Sequence, residues 1–159
     1  MKKSMFAAGV LVLMAVSAWA QATPNFAGTW KLDLAKSDFG PAPPPDSVVM
    51  VIEHKEPSLK ITTTQKSQMG DTINERNVTT DGKENSNKLR TPAGEQDLKS
   101  TTKWSGKKLS TASMMEVQGM SIGMNDSWDL SEDGKVLTVV RDIKTPQGDF
   151  ATKMVYDKQ

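Results

Sequence analysis

The stretch NFAGTWKLDLAKSDFGPAPPPDS, residues 25–47, decides how the chain is read. Phe26, Gly28, Trp30, Leu32 and Leu34 recur at every second position, and Ala27, Thr29, Lys31 and Asp33 fall between them. An apolar period of two describes a β-strand with one face buried and one in water. The strand runs into Gly40–Pro45, where four of six residues are proline. Such a segment cannot donate to a ladder and favours an extended, unpaired path. It reads as a semi-rigid strap leaving the first strand.

The same rhythm continues to the end of the chain. Leu59, Ile61 and Thr63 alternate with polar residues, as do Leu98, Ser100, Thr102 and Trp104. Ile122, Met124, Asp126, Trp128 and Leu130 share a face, as do Phe150, Thr152, Met154 and Tyr156. Turn signals separate the runs: EPS at 56–58, DGK at 81–83, PAG at 92–94, SGK at 105–107, EDGK at 132–135 and TPQG at 145–148. About ten strands result, with no sustained helical period. Short strands joined by tight turns predict an all-β antiparallel sandwich or barrel. Thr72–Leu89 is polar on both faces and is expected at a sheet edge or barrel rim.

The N-terminus sets the compartment. Lys2 and Lys3 precede an apolar run from Met5 to Val16, and small residues follow at Ala18, Ala20 and Ala22. This is the pattern of a secretory signal peptide, residues 1–20, with the cut after Ala20 or after Ala22. The run is too short for a membrane span, and no cysteine follows it to carry a lipid. The expected product, residues 21–159, is one exported domain, periplasmic or secreted, with no integral membrane span. Removing Lys2 and Lys3 from 20 basic residues leaves 18 against 19 acidic ones. Such a balance gives no footprint for nucleic acid. With no cysteine, packing alone must hold the fold, and the expectation is a monomer.

FAGTWKL (26–32) resembles the first-strand G-x-W signature of the calycin barrels, the lipocalins and fatty-acid-binding proteins. TKMVYDKQ (152–159) is similar to the closing strand of the fatty-acid-binding proteins. The longer opening, GTW with the KS and FGPAPPP segments that follow, resembles uncharacterised exported bacterial lipocalin-like proteins. The resemblance implies an up-and-down barrel of about 8–10 strands, with Gly28 and Trp30 at its closed end. It also implies a small hydrophobic or amphiphilic ligand. Two departures stand out. The slot of the helical lid holds AKSDFGPAPPPDS, and the arginine expected two residues before the closing tyrosine is Met154.

Register arguments bring polar residues inside. A turn over Ser131–Gly134 sets Leu130 opposite Lys135, Trp128 opposite Leu137 and Met124 opposite Arg141, with Asp126 diagonal to Arg141. The TPQG turn sets Arg141 opposite Thr152 and Leu137 opposite Tyr156. Arg141 shares its face with Leu137, Val139 and Ile143 and so points inward. An inward arginine needs a partner, and two readings follow. Arg141, assisted by Tyr156, holds an anionic head group; or Arg141 packs on Trp30 and is neutralised by Asp126, closing the barrel as the resemblance to lipocalins implies. Met115, Met124, Phe150 and Met154 would form the apolar wall of a ligand site.

Other chemistry finds little support. His54 is the single histidine and its neighbour Glu53 points to the opposite face, so no metal set forms. Met114, Met115, Met120 and Met124 crowd into eleven residues. Thioethers suit Cu(I), but with Met114 outward and Met120 in a turn, apolar filling is the simpler role. No nucleophile elbow, P-loop or dinucleotide fingerprint occurs. Neither a catalytic residue nor a cofactor is expected. The reading is a carrier or sensor of a small hydrophobic ligand, the alternative a filled structural or interaction module of the cell envelope.

Overall fold

Strand β1 (Gly28–Leu32) pairs on both sides, with β2 (Ser47–Lys55) and with the last strand of the chain. The structure is a computed structural model that describes residues 23–159, so the signal-peptide segment and its cut lie outside the described residues. The remaining strands are β3 (Ser58–Lys66), β4 (Thr72–Thr79), β5 (Asp81–Thr91), β6 (Gly94–Ser105), β7 (Lys108–Val117), β8 (Met120–Leu130), β9 (Val136–Thr145) and β10 (Gly148–Lys158). They form one antiparallel sheet in the order β4-β3-β2-β1-β10-β9-β8-β7-β6-β5. This is an up-and-down barrel, rolled so that β1 and β10 join through Trp30 opposite Lys158 and Leu32 opposite Tyr156. Among the described residues no helix is long and apolar enough to cross a membrane.

The two ends of that order, β4 and β5, share no ladder and meet through side chains. Asn74 accepts the Arg90 N–H (2.7 Å) and donates to the Arg90 carbonyl (3.0 Å). Asn87 accepts the Asn77 N–H (2.8 Å) and donates to the Asn77 carbonyl (3.0 Å). Each amide carries a donor and an acceptor in one plane, as a peptide does. Two asparagines thus stitch a seam where two backbones do not meet. The edge expected at Thr72–Leu89 is this seam.

Three local expectations are corrected. Leu34 is 42% exposed, because β1 ends at Leu32 and the Asp33 carboxylate accepts the N–H groups of Ala35 and Lys36, turning the chain away. The DGK segment is the first part of β5, with a register shift between Asp81 and Glu84 and Gly82 at φ 79°, so the turn falls before it, at Thr80. The β8–β9 connection is two residues longer than expected. Ser131 Oγ accepts the N–H groups of Lys135 and Val136, and the pairing becomes Leu130 with Leu137 and Asp126 with Arg141. Met120 correspondingly opens β8 instead of lying in a turn. On the other side of β9, Arg141 faces Thr152 and Leu137 faces Tyr156, as the sequence predicts.

The core fills one end of the barrel. Phe26 and Trp30 have no exposed surface, and Leu59, Leu109 and Leu137 are nearly as buried. The Phe26 ring stacks on Trp104 (5.8 Å) and on His54 (6.0 Å), and Trp128 meets its edge at 5.8 Å. Trp30 Nε1 donates to the Phe26 carbonyl at 2.9 Å, tying the segment before β1 to the strand. Loss of a ring as buried as Trp30 typically removes about 3–5 kcal/mol. The cation over Trp30 is Lys158, with Nζ 5.2 Å from the ring, and this role does not fall to Arg141. Gly28 sits at φ 139°, a backbone conformation that favours glycine, and the nearest atom a Cβ would meet is the mobile end of Lys158.

Candidate functional site: a cavity above the packed base

The inner wall changes character partway up the barrel. Ile61 and Val78 still belong to the core. One step further along β4 stands Arg76, opposite Ile61, and from there a cavity of about 420 Å³ opens to the mouth. Interiors of this size suit small ligands. Five methionines line it, Met50, Met69, Met115, Met124 and Met154, together with aliphatic residues such as Val139 and Ile143. Thioethers on flexible stems conform to varied apolar shapes.

The mouth is crossed by the proline segment. Asp38 exchanges two backbone hydrogen bonds with Lys153 of β10 (2.7 and 2.8 Å), and the Asp46 N–H donates to the Lys66 carbonyl of β3 (2.8 Å). Between these anchors Phe39, Ala42, Pro43 and Pro45 line the cavity. Gly40 adopts φ 57°, and a Cβ there would lie 2.9 Å from the Ala151 carbonyl oxygen. The position therefore requires glycine on both counts.

Three charged side chains, Arg76, Asp126 and Arg141, stand on the inner wall below the mouth. Asp126 and Arg141 form a two-point ion pair, Arg141 Nε to Oδ1 and Nη2 to Oδ2, both 2.7 Å. The Asp126 side chain is 4% exposed and Arg141 27%. Burial opposes the charge on Arg141, but the adjacent carboxylate outweighs it and the guanidinium pKa rises. Arg76 has no such partner among the described residues. Burial, then the like charge of Arg141, lower its pKa, with Asp126 and Tyr156 countering only in part. Burial raises the Tyr156 pKa, so the phenol is neutral at pH 7. Its hydroxyl lies 3.6 Å from Met154 Sδ.

The residues expected to form a site are largely brought together. Arg141, Tyr156, Met115, Met124 and Met154 stand on one cavity wall. Phe150 does not. It is half-buried in a shallow rim depression with Asn125 and Asp142, because β10 reaches the mouth at that point and the ring lies against Gly40. Arg76 escaped the sequence reading. The signal was present in the β3–β4 register: pairing Thr64 with Ile73 puts Arg76 opposite inward Ile61. Ile73, on the opposite face, is 61% exposed, so hydrophobicity along β4 does not mark the inward side.

His54 belongs to the base. Its Nδ1 accepts the Phe26 N–H (3.1 Å), so Nε2 carries the proton and donates to Glu56 Oε1 (2.9 Å). Glu56 also accepts from Trp104 Nε1 (3.0 Å) and the Thr80 hydroxyl. The ring is thereby a satisfied structural group. Among the described residues no three metal-ligating side chains converge.

No protein-family model matches the chain, and no curated protein matches it significantly in sequence. Solved structures do. The zebrafish ileal bile acid-binding protein complexed with cholic acid is 18% identical, with a TM-score of 0.55 over 84% of this chain and 98% of that one. A secretory abundant heat soluble protein from Ramazzottius varieornatus is 14% identical, with a TM-score of 0.53 over 86% and 98%. The fold is a calycin-type barrel.

Proposed function

We propose that the chain is an exported carrier or sensor that holds one small hydrophobic or amphiphilic molecule in the cavity above the packed base. The observation that carries this reading is the divided interior. Aromatic and aliphatic side chains fill the base, while the upper wall, methionines and aliphatic residues interspersed with Thr63, Gln65, Thr72 and Asn74, borders about 420 Å³ beneath an anchored strap. A barrel serving only as a scaffold has no need of that division, since barrels of this size can be filled by their own side chains. The likeness to a barrel complexed with cholic acid supports the same direction.

The basic and apolar opening of residues 1–22 supports export to the periplasm or the medium. The seam at β4 and β5 leaves no long unpaired edge for a second chain, which supports a monomer. The reading is of a binding protein and not an enzyme.

Native mass spectrometry of the protein purified from its own host tests this. A bound small molecule of fixed mass, released on denaturation, is the expected result. Ligand-free protein that also refuses every apolar compound added to it would favour the alternative, a structural or interaction module.

A further inference from the structure

We propose that Met69 is an oxidation site at the lip of the cavity, and that a hydroperoxide, by converting its thioether to the sulfoxide, speeds release of the apolar ligand. The effect on release rests on the binding reading above, whereas the selective oxidation of Met69 does not.

Seven methionines fall among the described residues, and they differ in their access to water and in what touches their sulfur. Met50 and Met124 are buried, and Met115, Met120 and Met154 are half-buried. Met69 and Met114 are open to water, at 65% and 54% exposed. Three sulfurs already accept a hydrogen bond: Met114 Sδ from the Ser121 hydroxyl (3.0 Å), Met120 Sδ from Gln147 Nε2 (2.9 Å) and Met154 Sδ from the Tyr156 hydroxyl (3.6 Å). Oxidation begins with attack by a sulfur lone pair, so a donor resting on that pair slows it. Among the described residues Met69 alone combines an exposed side chain with a sulfur that no donor occupies.

The place of Met69 gives its oxidation a consequence. It lies in the connection from β3 to β4, where Ser67, Met69 and Gly70 line the cavity together with Pro43 and Pro45 of the strap. The Gly70 N–H donates to the Ser67 carbonyl (3.0 Å) and the Ser67 hydroxyl donates to the Gly70 carbonyl (2.9 Å), so the turn that carries Met69 is braced. The second strap anchor, Asp46 N–H to the Lys66 carbonyl, adjoins that turn. A sulfoxide is polar where the thioether was apolar, so the lip keeps water and loses an apolar contact. Met114 stands on the outer face of β7, and its oxidation leaves the cavity wall unchanged.

The step is a two-electron oxidation. A lone pair of Met69 Sδ attacks one oxygen of the hydroperoxide, the O–O bond breaks and an S–O bond forms. The other oxygen leaves as water, or as an alcohol where the peroxide is organic. Sulfur is oxidised and the peroxide reduced, and methionine sulfoxide reductases restore the thioether.

The test exposes folded residues 21–159 to hydrogen peroxide and samples the reaction over time. Peptide mass mapping gives the order of oxidation, and stopped-flow gives the dissociation rate of bound N-phenyl-1-naphthylamine. Met69 is expected to oxidise first, Met114 after it, and Met50 and Met124 last. Dye release should quicken in step with Met69 oxidation by about fourfold, the worth of one lost methylene contact, at unchanged melting temperature. Treatment with the two stereospecific methionine sulfoxide reductases should return the original rate. Met69→Leu, whatever its starting rate, should release dye no faster after the same peroxide exposure, although its Met114 still oxidises. Any other methionine oxidising ahead of Met69 would overturn the proposal. So would a release rate that stays constant once Met69 is oxidised, one that rises equally in Met69→Leu, or one that rises only as the melting temperature falls. Dye that fails to bind the untreated parent would overturn the binding reading and the effect on release together, while the order of oxidation, read without dye, still decides whether Met69 is the site.

Discussion

Asp126 and Arg141 face each other across β8 and β9 and share two parallel hydrogen bonds of 2.7 Å, with the carboxylate almost wholly buried. Removing one member of such a pair strands the other charge. Asp126→Asn is expected to destabilise the fold by about 3–5 kcal/mol, read from denaturant unfolding. Replacing both members with apolar residues of similar volume should recover most of the lost stability.

A second prediction concerns acid. Desolvation of Glu56 works against its charge, but hydrogen bonds from Thr80, His54 and Trp104 outweigh it and hold its pKa below the ordinary value of 4.5. A carboxylate with a depressed pKa contributes stability that is present above the unfolded value and lost as pH falls through the folded one. Between pH 7 and the ordinary value the parent should therefore keep this contribution, and it should lose it below. Glu56→Gln should show a shallower fall of melting temperature across that acid range. An acid limb of unchanged slope would mean that these hydrogen bonds do not distinguish the ionised carboxylate.

The seam makes a local prediction. The Asn77 amide has Asn87 Oδ1 as its acceptor and the Arg90 amide has Asn74 Oδ1. Asn87→Ala should speed hydrogen exchange at Asn77 by roughly two- to tenfold, the worth of one net hydrogen bond, and leave the β1–β10 closure unchanged. Asn74→Ala should do the same at Arg90. Exchange at both sites in step with global unfolding would show that the seam opens only with the whole barrel.

How much of this was legible beforehand differs by element. Phe26, Trp30 and Leu32 declared β1 by strict alternation, and Tyr156 with Thr152 placed β10 against β9 correctly because a two-residue turn leaves little freedom in register. The β8–β9 turn was misjudged by two residues, since Ser131 Oγ satisfies two backbone N–H groups and lets the loop lengthen. That shift turned an expected diagonal contact into the direct Asp126–Arg141 pair. Thr72–Leu89 was the poorest segment, and for a physical reason. Its inward residues, Asn74, Arg76, Asn85 and Asn87, serve a seam and a cavity instead of a packed core, so hydrophobic alternation carries no message there. The missed charge, Arg76, lies in that segment.

The strap predicts kinetics. It is pinned at Asp38 and Asp46 and runs between them with one backbone hydrogen bond, Ala42 N–H to the Phe39 carbonyl at 3.2 Å. Segments with few ladder bonds move at low free-energy cost. Replacing Pro43, Pro44 and Pro45 with Gly and Ser should change the rate of ligand exchange in stopped-flow far more than the melting temperature. A large loss of stability with unaltered exchange would assign the prolines to the core and not to the mouth.

The claim that the upper barrel is a binding cavity is tested most directly by fluorescence titration of residues 21–159 with the neutral dye N-phenyl-1-naphthylamine. Met124, on the cavity wall, and Asn125, exposed on the outer face, are adjacent on β8 and provide matched controls. Saturable binding at micromolar Kd, abolished in folded Met124→Arg and retained in Asn125→Arg, is the expected result. Dye that fails to bind the folded parent, or that binds folded Met124→Arg as well as the parent, would contradict the account.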